Sequence, residues 1–289
     1  MRIPDCFGKG RTVFSFEVFP PRKETPISSL YRTLDTLYDL HPDFISVTYS
    51  AGGSASASAG DSVLEIASIL KQKYGVEPLA HITCAGTDRK KLDGLLCALS
   101  AAGVENILAL RGDLTPDTPP SRDFAYASDL TAYIREHYDL SVSGACYPEG
   151  HFEAPDLVTD ILNLRKKVDA GCGHLITQLF LDNTSFYAFR ERARIAGINV
   201  PLQAGIMPVT NKRQIERMVS LCGVSLPSKF SRMITRYEHN PQALLDAGVA
   251  YAVDQIVDLI TEGVDGIHLY AMNNPTIARR IYESVQSML

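Results

Sequence analysis

Glu17 is the residue in this sequence that most needs a chemical explanation. It sits in FSFEVFPP, flanked by Phe16, Val18 and Phe19, in a run otherwise fit for a protein core. A carboxyl desolvated in such a place has its pKa raised and can donate a proton near neutral pH. The alternative is a structural carboxylate paired with a lysine or arginine, and the run alone leaves both open. Further polar residues stand at the ends of other apolar runs: Thr48 and Tyr49, His81 and Thr83, Arg111 and Asp113. Tyr147, Glu149 and His151, then Gln178 and Asp182, then His268 and Tyr270 continue the series. Polar groups in apolar strands cost free energy unless paired, so their accumulation points to one functional rim.

Some of these groups carry two readings. Arg111-Gly112-Asp113 is either a strand-end ion pair and turn or part of that rim. His81 and His151 lack a nearby ligand set such as H-x-x-x-H, so a hydrogen-bonding or cofactor role is expected and no metal site. Arg165-Lys166-Lys167 is a solvated helix face or a group for a cofactor phosphate. No G-x-G-x-x-G or G-x-x-x-x-G-K-[ST] occurs, so neither a Rossmann site nor a P-loop is supported.

The elements that must position these residues are eight short apolar runs with helical segments between most of them. The runs are Val13–Phe19, Phe44–Tyr49, Pro78–Cys84, Asn106–Arg111, Ser141–Tyr147, His174–Phe180, Pro201–Met207 and Gly266–Met272. They are too apolar for a sheet with one wet face and read as parallel strands buried on both sides. Ser62 and Glu65 fit a capping box, with Val63, Ile66 and Leu70 on one face and Gly75 as a stop. Leu92, Leu95, Leu96 and Leu99 form a second stripe, closed by Gly103. Pro155 opens a third helix with Leu157, Ile161, Leu164 and Val168 inward and Gly171 at its end. Glu191 to Ala196, Lys212 to Leu221, Ala243 to Thr261 and Thr276 to Met288 supply later helices. Gly52–Gly60 reads as a mobile loop. Eight strands, no Gly-rich fingerprint after the first and no dividing linker predict an α/β fold. Its expected form is a single parallel eight-stranded (β/α)8 TIM barrel, one catalytic domain over 1–289, with its site where the strands end.

Bulk properties narrow the partners. A hydrophobic share of 45% over 289 residues supplies a substantial core. Net charge of −5 and a pI near 5.8 disfavour nucleic acid as a partner. No apolar run is long enough to span a bilayer, and the N-terminus lacks a secretory apolar stretch, so no membrane association is expected. Six scattered cysteines without a C-x-x-C pair suit reduced thiols, and a cytoplasmic protein is expected.

At these same residues the sequence resembles the methylenetetrahydrofolate reductase family in its short bacterial form. FSFEVFPPR and ISVTYSAGGS resemble that family's first two strands. LAHITCAGTD, NILALRGDLTP, ACYPEGHFEA, KKVDAGCGHLITQLFLDN, PLQAGIMPVTN and GIHLYAM follow in order, so the resemblance covers nearly the whole chain. It implies a FAD-bound barrel that reduces 5,10-methylenetetrahydrofolate to 5-methyltetrahydrofolate, within one-carbon metabolism and methionine biosynthesis. NADH or NADPH reduces the flavin and leaves, and the folate then takes its place. Folate ring opening to an iminium cation requires a proton on the departing nitrogen, and Glu17 matches the family's acid. Asp113 matches a residue near the flavin's pyrimidine edge, where a carboxylate disfavours a negatively charged reduced flavin and stabilises the cationic iminium. Gln178 matches the residue that hydrogen-bonds the pterin and the nicotinamide, and Thr48 and Gln214 match further substrate contacts. Tyr49, His81, Arg111, Gly112, Asp113, Ala127, Tyr147, His151, Ala154, Asp160, Asn163, Lys166 and Lys167 match positions that hold FAD. The resemblance also implies a homo-oligomer.

Three departures bear on ligand binding. Asn274 stands where members usually carry an arginine, Met218 where some place a phenylalanine, and Leu179 and Leu181 where aromatics are common. Glu17 and Asp113 are untouched. A second reading keeps FAD but makes the barrel a subunit of an electron-transfer complex fed by a donor protein. The presence of Glu17 disfavours it. A flavin-dependent proline dehydrogenase is disfavoured by the YPEGH and RGD blocks.

Overall fold

The computed structural model describes residues 1–21, 27–49, 59–114 and 120–289. Eight strands alternate with helices: β1 (Val13–Val18), α1 (Ile27–Tyr38), β2 (Phe44–Val47), α2 (Ala59–Ile69), β3 (Glu77–Thr83), α3 (Arg89–Ala101), β4 (Asn106–Leu110), α4 (Ala127–His137) and β5 (Ser141–Cys146). Then come α5 (Leu157–Asp169), β6 (His174–Thr177), α6 (Asn183–Ile195), β7 (Leu202–Ile206), α7 (Lys212–Cys222), α8 (Ser228–Tyr237), α9 (Pro241–Thr261), β8 (Gly266–Leu269) and α10 (Pro275–Val285). The strands form a closed barrel in chain order, β8 pairing with β1 in parallel. The expected (β/α)8 barrel is therefore the observed one.

Strand alternation sorts the side chains into two cores. Phe14, Phe16, Val18, Ile45, Val47, Ile107 and Leu269 belong to the large cluster shared with the helices, including Leu34, Ile66, Leu96 and Ile256. Burying one such side chain contributes about 1.5–3 kcal/mol, so this outer layer carries much of the stability. A smaller cluster of Val13, Phe44, Leu79, Leu108 and Ile176 joins Ile3 and Cys6 of an N-terminal 3-10 turn. Ile3 N donates to Asn106 Oδ1 at 2.8 Å, which fastens this turn to the amino-terminal start of β4.

The helices depart from the sequence expectation at several ends. α2 begins at Ala59, so Ser62 and Glu65 lie inside it and do not form a capping box. Residues 52–58 of the expected mobile loop lie outside the described residues, and Ala59 and Gly60 belong to α2. α5 is capped by Asp156, whose side chain accepts from Thr159 N, so Pro155 precedes the helix and does not open it. Leu157, in its first turn, is 43% exposed and not inward. α6 starts eight residues before its expected stretch, at Asn183, because Asp182 caps it. α1, α4 and α8 were not foreseen. Gly75 does end its segment, after a π-helical turn over Leu70–Tyr74, with φ +66. Among the described residues no helix is long and apolar enough to cross a membrane.

Candidate active site

Glu17 lies one residue from the end of β1 and keeps 18% of its side-chain surface open at the mouth of the barrel. Among the described residues its ion-pair partners are histidines: Oε2 is 3.8 Å from His81 Nε2 and 4.0 Å from His268 Nε2. The expected alternative, a lysine or arginine partner, is not what surrounds it. Burial pushes the Glu17 carboxyl up, and His81 opposes that only in part. Burial lowers His81 to about 4 and His268 to about 3, so both rings are neutral near pH 7. A carboxyl facing two uncharged imidazoles has no cation to hold it ionised.

Beneath Glu17 the inward positions form a polar floor. Ser15 Oγ lies 2.7 Å from His268 Nδ1, and Ser46 Oγ lies 3.2 Å from His268 Nε2. Gln203 Nε2 donates to Ser15 Oγ at 2.8 Å and to Ile267 O at 2.9 Å. We assign the Ser15 hydroxyl as donor to His268 Nδ1, which puts the imidazole proton on Nε2, the nitrogen nearer Glu17. Deeper in the barrel, His174 Nδ1 shares a hydrogen bond with Ser143 Oγ at 3.0 Å, and burial lowers its pKa to about 3. Ser15, Ser46, Ser143, His174 and Gln203 were not singled out from sequence. Their signal was there: like Glu17 and His81, each is a polar residue within a run that otherwise reads as apolar, and Ser15 stands two residues before Glu17 on the same face of β1.

A second polar group lies over β4 and β5. The Arg111 guanidinium forms a two-pronged ion pair with Glu153, one prong at 2.9 Å. His151 packs edge-on against Tyr147 and stacks on Phe152, and burial lowers its pKa, with Arg111 adding to the shift. Burial raises the Asp160 carboxyl. Lys167 donates from Nζ to Ala145 O at 2.6 Å, an approach that Gly144 permits. A Cβ at Gly144 would lie 2.7 Å from Lys167 Cδ. Lys166 instead is exposed and donates to Asn163 Oδ1. The structure thus separates the two lysines. Gly112 has φ +82, and a Cβ there would press on Thr83. Asp113 follows it, exposed at the rim.

The remaining expected residues fall around the same mouth. Thr48 follows β2, and its Oγ1 is buried without a hydrogen-bond partner among the described residues. Tyr49 leans outward, packed against the outer core and hydrogen-bonded with Thr87. Gln178 follows β6, its Oε1 accepting from Leu179 N at 2.9 Å. Gln214 accepts from Thr210 N at 3.1 Å in the first turn of α7. Ala127 opens α4, and Ala154 N donates to His151 O. A cavity of about 280 Å³ is walled by Glu149, His151, Phe152, Ala154, Leu157 and Gly223. Another of about 180 Å³ adjoins Arg111, Ala85, Phe124 and Tyr126. A guanidinium and an imidazole beside these cavities suit an anionic, aromatic cofactor, and Glu149 Oε1, buried without a hydrogen-bond partner among the described residues, would accept from a hydroxyl of it.

The departures noted in sequence also find places. Leu179, Leu181 and Met218 share one apolar cluster with Met207, Ile215 and Phe230, so they amount to a single repacking under α7 and α8. Asn274 caps α10, its Oδ1 accepting from Ile277 N at 3.1 Å.

Comparison with known proteins places this arrangement among relatives. Residues 2–286 match the family described as methylenetetrahydrofolate reductase. The 5,10-methylenetetrahydrofolate reductase of Escherichia coli (strain K12) is 34% identical over 273 residues, covering 94% of this chain and 90% of that protein. Methylenetetrahydrofolate reductase (NADH) 1 of Arabidopsis thaliana is 35% identical, covering 94% of this chain but 48% of that protein. Among solved structures, a Clostridium thermocellum protein that binds two copies of 5-methyl-5,6,7,8-tetrahydrofolic acid superposes with TM-score 0.68 at 14% identity. That match covers 96% of each chain. A dihydropteroate synthase from Stenotrophomonas maltophilia superposes with TM-score 0.52 at 16% identity, covering 96% of this chain and 94% of that one. At those identities the structural likeness speaks for the barrel alone.

Proposed function

The chain belongs to the methylenetetrahydrofolate reductase family, and we propose that its barrel, as a single catalytic unit over 1–289, reduces 5,10-methylenetetrahydrofolate to 5-methyltetrahydrofolate with FAD and NADH or NADPH. It is an oxidoreductase of folate one-carbon metabolism. The observation that carries the finer reading is the Glu17 carboxyl, open to the mouth and facing two neutral histidines.

FAD, when bound, supplies a carrier that accepts hydride from the nicotinamide and passes it to the folate carbon. Arg111, His151, Lys166 and Lys167 would provide charge and donors for its diphosphate, and Asp160 and Asn163 acceptors for its ribose. Tyr49, His81, Gly112, Ala127, Tyr147 and Ala154 complete that cradle by position. The two cavities beside Arg111 and His151 support this fit.

Glu17 is suited to carry a proton because burial disfavours its carboxylate form, with His81 opposing that only in part. It gives that proton to the folate nitrogen that departs as the ring opens, which leaves a cationic iminium to receive hydride. Asp113, exposed at the rim, places negative charge where the cation forms. Gln178, with Oε1 occupied by Leu179 N, keeps its N–H donors for the pterin or the nicotinamide. Thr48 and Gln214 line the same mouth as further contacts.

The decisive experiment uses the purified protein under anaerobic conditions. A flavin absorption band, bleached by NADH or NADPH and restored by methylenetetrahydrofolate with formation of 5-methyltetrahydrofolate, is the expected result. A colourless protein that cannot take up FAD would overturn the reading. A flavin that only a donor protein can reduce would favour the electron-transfer subunit.

A further inference from the structure

The closing seam of the barrel holds a side chain that neither the motifs nor the polar rim singled out. β1 and β8 pair up to Phe16 and Leu269, and beyond this rung the strands separate. Ala271 N turns back to Leu269 O at 3.0 Å instead of reaching β1. Phe19, two residues past Glu17, therefore has no β8 backbone beside it. The Asn273 carboxamide takes that place. Phe19 N donates to Asn273 Oδ1 at 3.1 Å, and Asn273 Nδ2 donates to Phe19 O at 2.8 Å. A primary amide has the donor and acceptor of a peptide group, so this side chain adds a rung to the ladder.

The backbone is bent to deliver it. Met272 and Asn273 have φ of +52° and +54°, two consecutive non-glycine residues in the left-handed region. Such conformations persist only where the surroundings over-determine them, and they cluster at functional sites. Here Thr33 Oγ1 donates to Asn273 O at 3.3 Å, and Asn274 N donates to Ala271 O at 2.9 Å. Asparagine tolerates this conformation better than other side chains and is the right length to reach Phe19.

We propose that Asn273 is a positioning residue for Glu17, clamping the end of β1 at Phe19 so that the Glu17 carboxyl stays over His81 and His268. The proposal rests on the reading of Glu17 as the acid. With the clamp removed, the end of β1 loses its tie to β8, and the carboxyl moves toward solvent. Small displacements of a reacting group cost rate steeply.

Asn273→Gly tests this cleanly, because glycine accepts the left-handed backbone while removing the amide. Asn273→Asp is the second variant: it keeps an acceptor for Phe19 N but sets a carboxylate against Phe19 O. In FAD-loaded protein, the folate half-reaction of both variants should slow by about tenfold or more, while flavin reduction by NADH or NADPH changes by no more than about twofold. The Glu17 carboxyl, assigned by difference against Glu17→Gln in isotope-edited infrared spectra, should titrate at lower pH in Asn273→Gly than in the wild type. Equal slowing of both half-reactions, or an unmoved Glu17 titration, would overturn the clamp. If the wild type itself fails to reduce methylenetetrahydrofolate, the functional reading falls, and the Glu17 titration still decides the clamp.

Discussion

The two ends of this barrel are built from the same strands and differ completely in what they do. At the amino-terminal end the inward residues are Val13, Phe44, Leu79, Leu108 and Ile176, closed over by Ile3 and Cys6. Two residues further along β1, β2 and β3 the corresponding positions are Ser15, Ser46 and His81, and two residues on again they are Glu17, Thr48 and Thr83. In these three strands a single step of the repeat turns an apolar plug into a hydrogen-bonded floor, and the next step opens the mouth; in β6 the order differs, with His174 packed on Phe44 two residues before Ile176. Stability and chemistry are thus stacked in layers along one axis, which lets either be altered with little effect on the other.

The largest effect should come at the mouth. Glu17→Gln removes the proposed proton donor and should slow the folate half-reaction by about 10²–10⁴-fold, with flavin reduction largely retained in stopped-flow traces. Equal loss of both half-reactions would make Glu17 structural and erase the contrast between the layers.

At the sealed end the expectation reverses. Leu79→Ala, fully buried in the plug, should lower unfolding free energy by about 2–5 kcal/mol in denaturant titrations. The ratio of the two half-reaction rates should stay as in the wild type.

The floor between them should appear in the pH dependence of stability. Unfolded imidazoles take up protons below about pH 6.5, whereas His81 resists until about 4 and His174 and His268 until about 3. Protons therefore bind the unfolded chain first, and stability falls as pH drops across that window. The slope is about 1.4 kcal/mol per pH unit for each histidine. Glu17, whose raised pKa favours the folded state at low pH, opposes this, but as one group against three. Chemical denaturation at pH 7, 6 and 5 would measure it, and a flat profile would mean the floor is hydrated.

The smallest effect belongs to Asn274. As a helix cap its replacement by alanine should cost about 1 kcal/mol of stability. An accompanying rise in KM for folate would show that this position binds ligand as well as capping α10.

Much of this was legible in the chain. The eight strands, their burial on both faces and the polar residues at their ends followed from local pattern, because strand periodicity is written in neighbouring residues. The helix starts were less legible. Asp156 rather than Pro155 caps α5, since a cap is chosen by which side chain reaches a free N–H in the folded backbone, and α2 already begins at Ala59, ahead of Ser62. α8 was missed because its buried side, where Phe230 meets Tyr251, exists only once α9 lies alongside.

For Glu17, sequence alone determined that a carboxyl stands in an apolar strand at the barrel's reactive end, and left its partner open. Only the closed barrel decided that the partners are His81 and His268, which lie 64 and 251 residues away along the chain. The same closure set Asn273 against Phe19 and gathered Leu179, Leu181 and Met218 into one cluster. Local patterning reports burial and direction of each side chain. Which distant groups meet, and therefore which charges are paired, desolvated or held neutral, depends on strand order and register around the barrel.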